Sequence, residues 1–111
     1  MVGRIGLHHF NQNNRTAAIG YWLVQKAEGR GLITNACKEV IRTGFSTYDL
    51  NRVEIKAATT NFRSQAIPEK LNFFKEGILR QAELVNGVLL DLYIYSLLTS
   101  EWESQVNART A

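Results

Sequence analysis

Glu28-Gly29-Arg30-Gly31-Leu32 sits between an apolar segment, Ala17–Val24, and an amphipathic one. The order suggests a strand, a short two-glycine loop and a helix start. Free N–H groups at a helix start, with the positive end of the helix dipole, suit a phosphate. Gly29 and Gly31 lack a Cβ, so a ligand can approach the main chain closely. The same Gly-x-Gly also serves as a plain tight connection, and the segment alone leaves both roles open. Cys37 is the only cysteine. Its spacing with Ile33, Val40 and Ile41 places it on an apolar helix face, as a core thiol rather than a nucleophile. His8 and His9 are neighbours on an expected strand, so their side chains should point to opposite faces. No metal site is expected from them.

The elements that position these residues follow from periodicity. Val2–Phe10 and Arg15–Val24 read as an antiparallel hairpin around the polar turn Asn11–Asn14. Gly20 marks a bulge or a close backbone contact. Leu32, Ile33, Ala36, Cys37, Val40, Ile41 and Phe45 recur at helical spacing over about residues 30–45, and Gly44 is placed to help end that helix. Asn51–Thr59 alternates, with Val53, Ile55, Ala57 and Thr59 on one face and Arg52, Glu54, Lys56 and Ala58 on the other. Strand, helix and strand of these lengths imply a parallel crossover. A second helix is expected over about residues 62–71, capped by Thr60 or Asn61, with Pro68 inside it and Asn72 left-handed at its end. Phe73–Gly77 begins the final sheet portion. Asn86-Gly87 then joins a strand near Leu79–Val85 to one near Val88–Tyr95. From about Ser96 the chain turns polar and is expected to be partly helical.

Composition bounds the function. The 111 residues form one domain, 1–111, that can bury a core without staples. Hydrophobic content of 45%, charged content of 21% and a net charge of +3 are ordinary for a globular protein. The charge suits an anionic ligand but is too dispersed to predict nucleic-acid binding. No apolar stretch is long enough for a membrane helix. A lone cysteine and no secretory signal at Met1–Phe10 point to the cytoplasm.

The order β-β-α-β-α-β-β, an α/β (α+β) arrangement around a mixed central sheet, together with particular residues, resembles the GNAT superfamily of acetyl-CoA-dependent N-acetyltransferases. The resemblance is to the branch that includes ribosomal-protein N-terminal acetyltransferases. Ile19-Gly20-Tyr21-Trp22-Leu23 resembles its central strand. Lys26-Ala27-Glu28-Gly29-Arg30-Gly31 resembles its pyrophosphate loop, with Lys26 in place of the usual Gln or Arg. Asn61-Phe62-Arg63-Ser64 and Glu69-Lys70-Leu71-Asn72-Phe73 resemble its Asn-x-x-Ser and Glu-Lys-Leu-Gly-Phe segments, with Asn72 for the glycine. Glu76-Gly77, Gln81-Ala82-Glu83 and Asn86-Gly87 resemble its closing hairpin. Members of this family usually have about 170 residues, on the upper side of ordinary domain size. The likeness therefore implies a shortened domain, beginning at the family's third strand and lacking much of the acceptor wall.

The resemblance also implies roles. Acetyl-CoA would be the cosubstrate, with no metal. Its pyrophosphate would rest on the N–H groups of Glu28, Gly29, Arg30, Gly31 and Leu32. Its pantetheine arm would pair with the backbone near Leu23 and Val24. Asn61 would hydrogen-bond that arm, a role compatible with helix capping. Ser64 would also contact the cofactor and protonate the leaving thiolate; alternatively its hydroxyl bonds locally to backbone. Glu83 would take the proton of the acceptor amine, whereas an isolated hairpin carboxylate is ordinarily a solvated charge. Arg30, Lys38, Arg42 and Arg63 are further candidates for the phosphates, or simply a solvated helix face. The implied activity is acetyl transfer to a primary amine, on a protein N-terminus or a small molecule. The other implied class is a noncatalytic CoA-binding or interaction protein. An uncovered sheet edge also predicts a homo-oligomer.

Overall fold

The computed structural model describes residues 3–23 and 32–110, and side chains within 6–20 and 34–106. Its described strands form one five-stranded mixed sheet in the order β1-β2-β3-β5-β4. β1 (Gly3–Asn11) and β2 (Thr16–Leu23) make the expected antiparallel hairpin. Asn14 N–H donates to Asn11 Oδ1 at 3.0 Å within its turn, a side chain mimicking a backbone turn. α1 (Leu32–Ser46) then carries the chain back to β3 (Arg52–Ala58), which lies parallel to β2. α2 (Phe62–Lys70) follows, and β4 (Phe74–Val85) and β5 (Val88–Leu98) close the sheet as an antiparallel hairpin. α3 (Thr99–Thr110) ends the described chain. No described helix is long and apolar enough to cross a membrane.

The core lies on one sheet face. Val53, Ile55 and Ala57 are buried there, on the predicted side of β3, with Ala17, Ile19, Tyr95 and Leu97 from neighbouring strands. Cys37, Ile41 and Phe45 recur every four residues on α1 and pack onto them, joined by Ile67 and Leu71 of α2 and its flank. Gly44 does not end α1, which continues to Ser46. A Cβ there would lie 3.2 Å from Leu50 Cδ1 and 3.3 Å from Leu7 Cδ1, so its smallness admits neighbouring side chains. Trp102 of α3 stacks obliquely on Phe45, with ring centroids 5.2 Å apart, which makes the polar tail a packed helix.

Three further details differ from the sequence expectation or sharpen it. β4 is one strand rather than two pieces, because two bulges absorb its irregular stretches: the register shifts between Lys75 and Gly77 and between Leu79 and Glu83. β5 runs on to Leu98, paired with Arg52. His8 and His9 do not point to opposite faces. His9 has φ 55 and the β1–β2 register breaks between His8 and Asn11, so strict alternation fails and the two rings lie 4.4 Å apart.

Candidate functional site

β2 and β3 pair at only three positions, Thr16↔Arg52, Ala17↔Val53 and Ala18↔Glu54. Beyond Ala18 the two strands have no registered pairs, although β2 runs to Leu23 and β3 to Ala58. A cavity of about 550 Å³ opens at this parting. Ala18, Ile19 and Gly20 line it from β2, and Lys56, Ala57 and Ala58 from β3. The cavity also collects Asn61, Ser64 and Glu83, three residues separated in sequence that the resemblance had singled out.

Each is placed by a local device. Asn61 caps α2: its Oδ1 accepts from Ser64 N–H at 3.1 Å. That bond uses the oxygen alone, so the cap does not consume the amide N–H donors. Ser64 sits in the first turn of α2. Gln65, buried beside it, donates from Nε2 to the Ala58 carbonyl at 2.8 Å and ties the helix start to the end of β3. Pro68 removes the α-helical donor to the Ser64 carbonyl, and the helix ends two residues later at Lys70. Asn72, with φ 62, turns the chain out as expected.

Glu83 reaches the cavity through the second bulge of β4. Three residues, Arg80–Ala82, stand opposite Asp91 alone. Gln81 takes φ 49, and its N–H donates to Asp91 Oδ1 at 2.8 Å. The extra residues set Glu83 opposite Leu90, one pleat deeper than uninterrupted pairing from Leu79 would allow. Asn86 and Gly87, both at positive φ, close the hairpin tip as the Asn-Gly pair predicts.

The remaining candidates divide. Leu23 ends β2, paired with Gly3, and Leu32 begins α1. Val24, Glu28, Gly29, Arg30 and Gly31 lie outside the described residues. Lys38 and Arg42 line a different groove of about 250 Å³, with Lys70, Asn72 and Trp102, which shares no residue with the cavity between β2 and β3. Arg42 is paired there with Glu39. Cys37 is fully buried, and loss of hydration pushes its thiol up to about 12, which makes it an inert core group. Tyr95 is buried too. Desolvation first, then the neighbouring Glu69 carboxylate, pushes its phenol up to about 12.

Sequence reasoning missed the two histidines and Lys56 as members of this cavity. The His8 ring lies over Gly20: a Cβ at Gly20 would fall 2.2 Å from His8 Nε2. Gly20 was legible as a close-contact glycine, and the side chain that makes the contact was not.

The Acetyltransferase (GNAT) domain profile matches residues 1–73. The chain belongs to the GNAT acetyltransferase family. It is 47% identical over 105 residues to YdaF of Bacillus subtilis (strain 168), a candidate ribosomal N-acetyltransferase, covering 95% of this chain and 57% of YdaF. It is 32% identical over 96 residues to the ribosomal-protein-serine acetyltransferase of Escherichia coli (strain K12), covering 86% and 54%. The solved structure of the microcin C7 self-immunity acetyltransferase MccE, in complex with acetyl-CoA and AMP, superposes with a TM-score of 0.71 at 36% identity, covering 79% of this chain and 49% of MccE. The chain thus spans about half the length of the curated relatives it matches.

Proposed function

We propose that this GNAT chain transfers the acetyl group of acetyl-CoA to a primary amine, with ribosomal-protein N-termini as the first acceptors to try. The observation that carries the reading is the convergence of Asn61, Ser64 and Glu83 on the cavity where β2 and β3 part. MccE, which holds acetyl-CoA, supports the choice of thioester. The relatives named for ribosomal substrates support the choice of acceptor.

In this reading the pyrophosphate rests on the main-chain N–H groups of Glu28–Leu32, and the pantetheine arm pairs with backbone near Leu23 and Val24, filling the gap between strands. Asn61 donates to the arm. The amine nitrogen attacks the thioester carbonyl carbon; a C–N bond forms and the C–S bond breaks. Glu83 takes the proton shed by the nitrogen of the tetrahedral intermediate, and Ser64 delivers a proton to the departing sulfur. Proton return through water restores both groups.

Calorimetry with acetyl-CoA and thiol release with Ser- and Ala-initiated peptides and with spermidine test the reading. Gly29→Val/Gly31→Val is expected to abolish acetyl-CoA binding; unchanged affinity refutes the phosphate cradle. Glu83→Gln is expected to lose about 10²-fold or more in turnover; full turnover at saturating substrate removes Glu83 from the chemistry.

A noncatalytic CoA-binding or interaction protein is the second reading. Leu84, Val85, Val88 and Leu89 are exposed around the hairpin tip and favour it, together with a self-associating chain. Acetyl-CoA binding without turnover across the panel selects this reading. A strict monomer in sedimentation at high concentration rejects self-association.

A further inference from the structure

We propose that Lys56 selects the acceptor, favouring a primary amine that carries a carboxylate over one that carries further cations. This deepens the transferase reading and rests on it. The chemistry recognised is an amine with a carboxylate a few bonds away. An acidic second residue of a peptide offers it, and so does a small amino acid.

Charge on the outer face of β3 is divided unevenly. Arg52, Glu54 and Lys56 succeed one another on the face opposite the buried Val53, Ile55 and Ala57. Arg52 is satisfied by carboxylates: its Nε donates to Glu54 at 2.9 Å and its Nη1 donates to Glu76. The Lys56 ammonium has no ion pair or hydrogen bond among the described residues. On one flank β5 sets Ile94 beside it. On the other flank β2 has parted. Unbroken pairing from Ala18↔Glu54 would bring Gly20 there, and the His8 ring covers Gly20. Neither flank supplies a carboxylate. Partial burial first, then His9 and Lys56, lower the pKa of His8, so the ammonium is felt across that flank.

The cavity therefore holds a cation and a carboxylate that do not meet. Its described titratable residues are Lys56 on β3, Glu83 on β4, and His8 and His9 on β1. Lys56 and Glu83 make no ion pair with each other. A guest of divided charge matches this divided wall, with its amine toward Glu83 and its carboxylate toward Lys56. The carboxylate accepts a charge-assisted hydrogen bond from Lys56 Nζ. A polyamine instead brings a further ammonium against Lys56, beside two histidines that can only add positive charge.

The test compares kcat/KM at one pH and saturating acetyl-CoA. The acceptors are peptides beginning Ser-Glu, Ser-Gln and Ser-Lys, the pair β-alanine and propylamine, and spermidine. Wild type is expected to prefer the carboxylate by about tenfold to a hundredfold, the usual worth of a hydrogen bond to a charged partner. Ser-Lys and spermidine fall below Ser-Gln. The preference resides in KM and shrinks as salt rises, because Lys56 is exposed. A preference confined to the peptides assigns the carboxylate to a side chain, and one confined to β-alanine assigns it to a small amino acid. Lys56→Gln brings the ratio of Ser-Glu to Ser-Gln toward one. Lys56→Glu reverses the order and raises kcat/KM for Ser-Lys and spermidine above wild type, a gain that a merely weakened fold does not give.

No preference for the carboxylate in either pair, or an equal loss on every acceptor in Lys56→Gln, overturns the role of Lys56 while transfer itself stands. A parallel loss of acetyl-CoA affinity in that variant assigns Lys56 to the thioester and overturns the role as well. A wild-type chain that binds acetyl-CoA and acetylates none of these amines overturns the transferase reading, and this inference with it.

Discussion

Glu76 laces three strands together on the sheet face opposite the core, and its removal should be costly. It occupies the first bulge of β4 and accepts hydrogen bonds from Arg52 on β3 and Ser96 on β5. Arg52 Nη2 donates to its Oε1 at 3.1 Å, and Arg52 Nε also donates to Glu54 at 2.9 Å. Ser96 is only 3% exposed. Glu76→Ala strands that hydroxyl, which costs about 1–3 kcal/mol, and removes a largely shielded charge pair worth about 1 kcal/mol more. The sum is about 2–4 kcal/mol. For 111 residues the unfolding entropy is about 0.23 kcal/mol per kelvin, so Tm should fall by roughly 9–17 °C. The pH dependence has a fixed sign. The hydrogen bonds from Arg52 and Ser96 hold Glu76 below its ordinary 4.5. Its contribution is therefore complete above pH 4.5 and is lost as pH falls through the lowered folded value. Thermal melts by circular dichroism from pH 7 to 3 read both effects, with the gap to wild type closing on acidification. Ser96→Ala should cost less in the Glu76→Ala background than in wild type, because the stranded hydroxyl goes with it. A Glu76→Ala melt within about 2 °C of wild type, or a gap that widens in acid, refutes the account.

Two other outcomes follow from packing. Cys37 should resist alkylation by a neutral-pH thiol reagent in the native state and react at the unfolding rate or equilibrium; rapid stoichiometric labelling would contradict its burial. Asn61→Ala should lower stability by about 1 kcal/mol in urea titration through loss of the cap on α2, and acetyl-CoA affinity should fall further than that. Loss of stability with full affinity would assign Asn61 to capping alone.

Much of this fold is legible locally because its elements obey simple periods. The alternation Val53, Ile55, Ala57 gives β3 and its buried face, and Asn86-Gly87 gives the hairpin tip. Asn72 signals a left-handed exit by its type alone. The bulges are harder to read. Arg80-Gln81-Ala82 carries no glycine, and the group that stabilises Gln81 at positive φ is Asp91, ten residues on. The histidine pair fails for the same reason: period two predicts divergence, and only the backbone twist at His9 brings the rings together. Within the site, Asn61, Ser64 and Glu83 were found through motif likeness. Lys56, by contrast, looks like any outward strand lysine until the parting of β2 from β3 gives it a wall to stand on.

That parting governs how the site can vary over time. A slot bounded by the unladdered inner rims of β2 and β3 presents peptide groups, which every residue type except proline supplies alike. A guest of extended shape, if it imitates a missing ribbon as the proposed pantetheine arm would, meets those groups with little regard for which side chains flank it. For recognition of such a guest, drift along Ile19–Leu23 and Ile55–Ala58 would be cheap, so long as no proline enters and the cleft keeps its width.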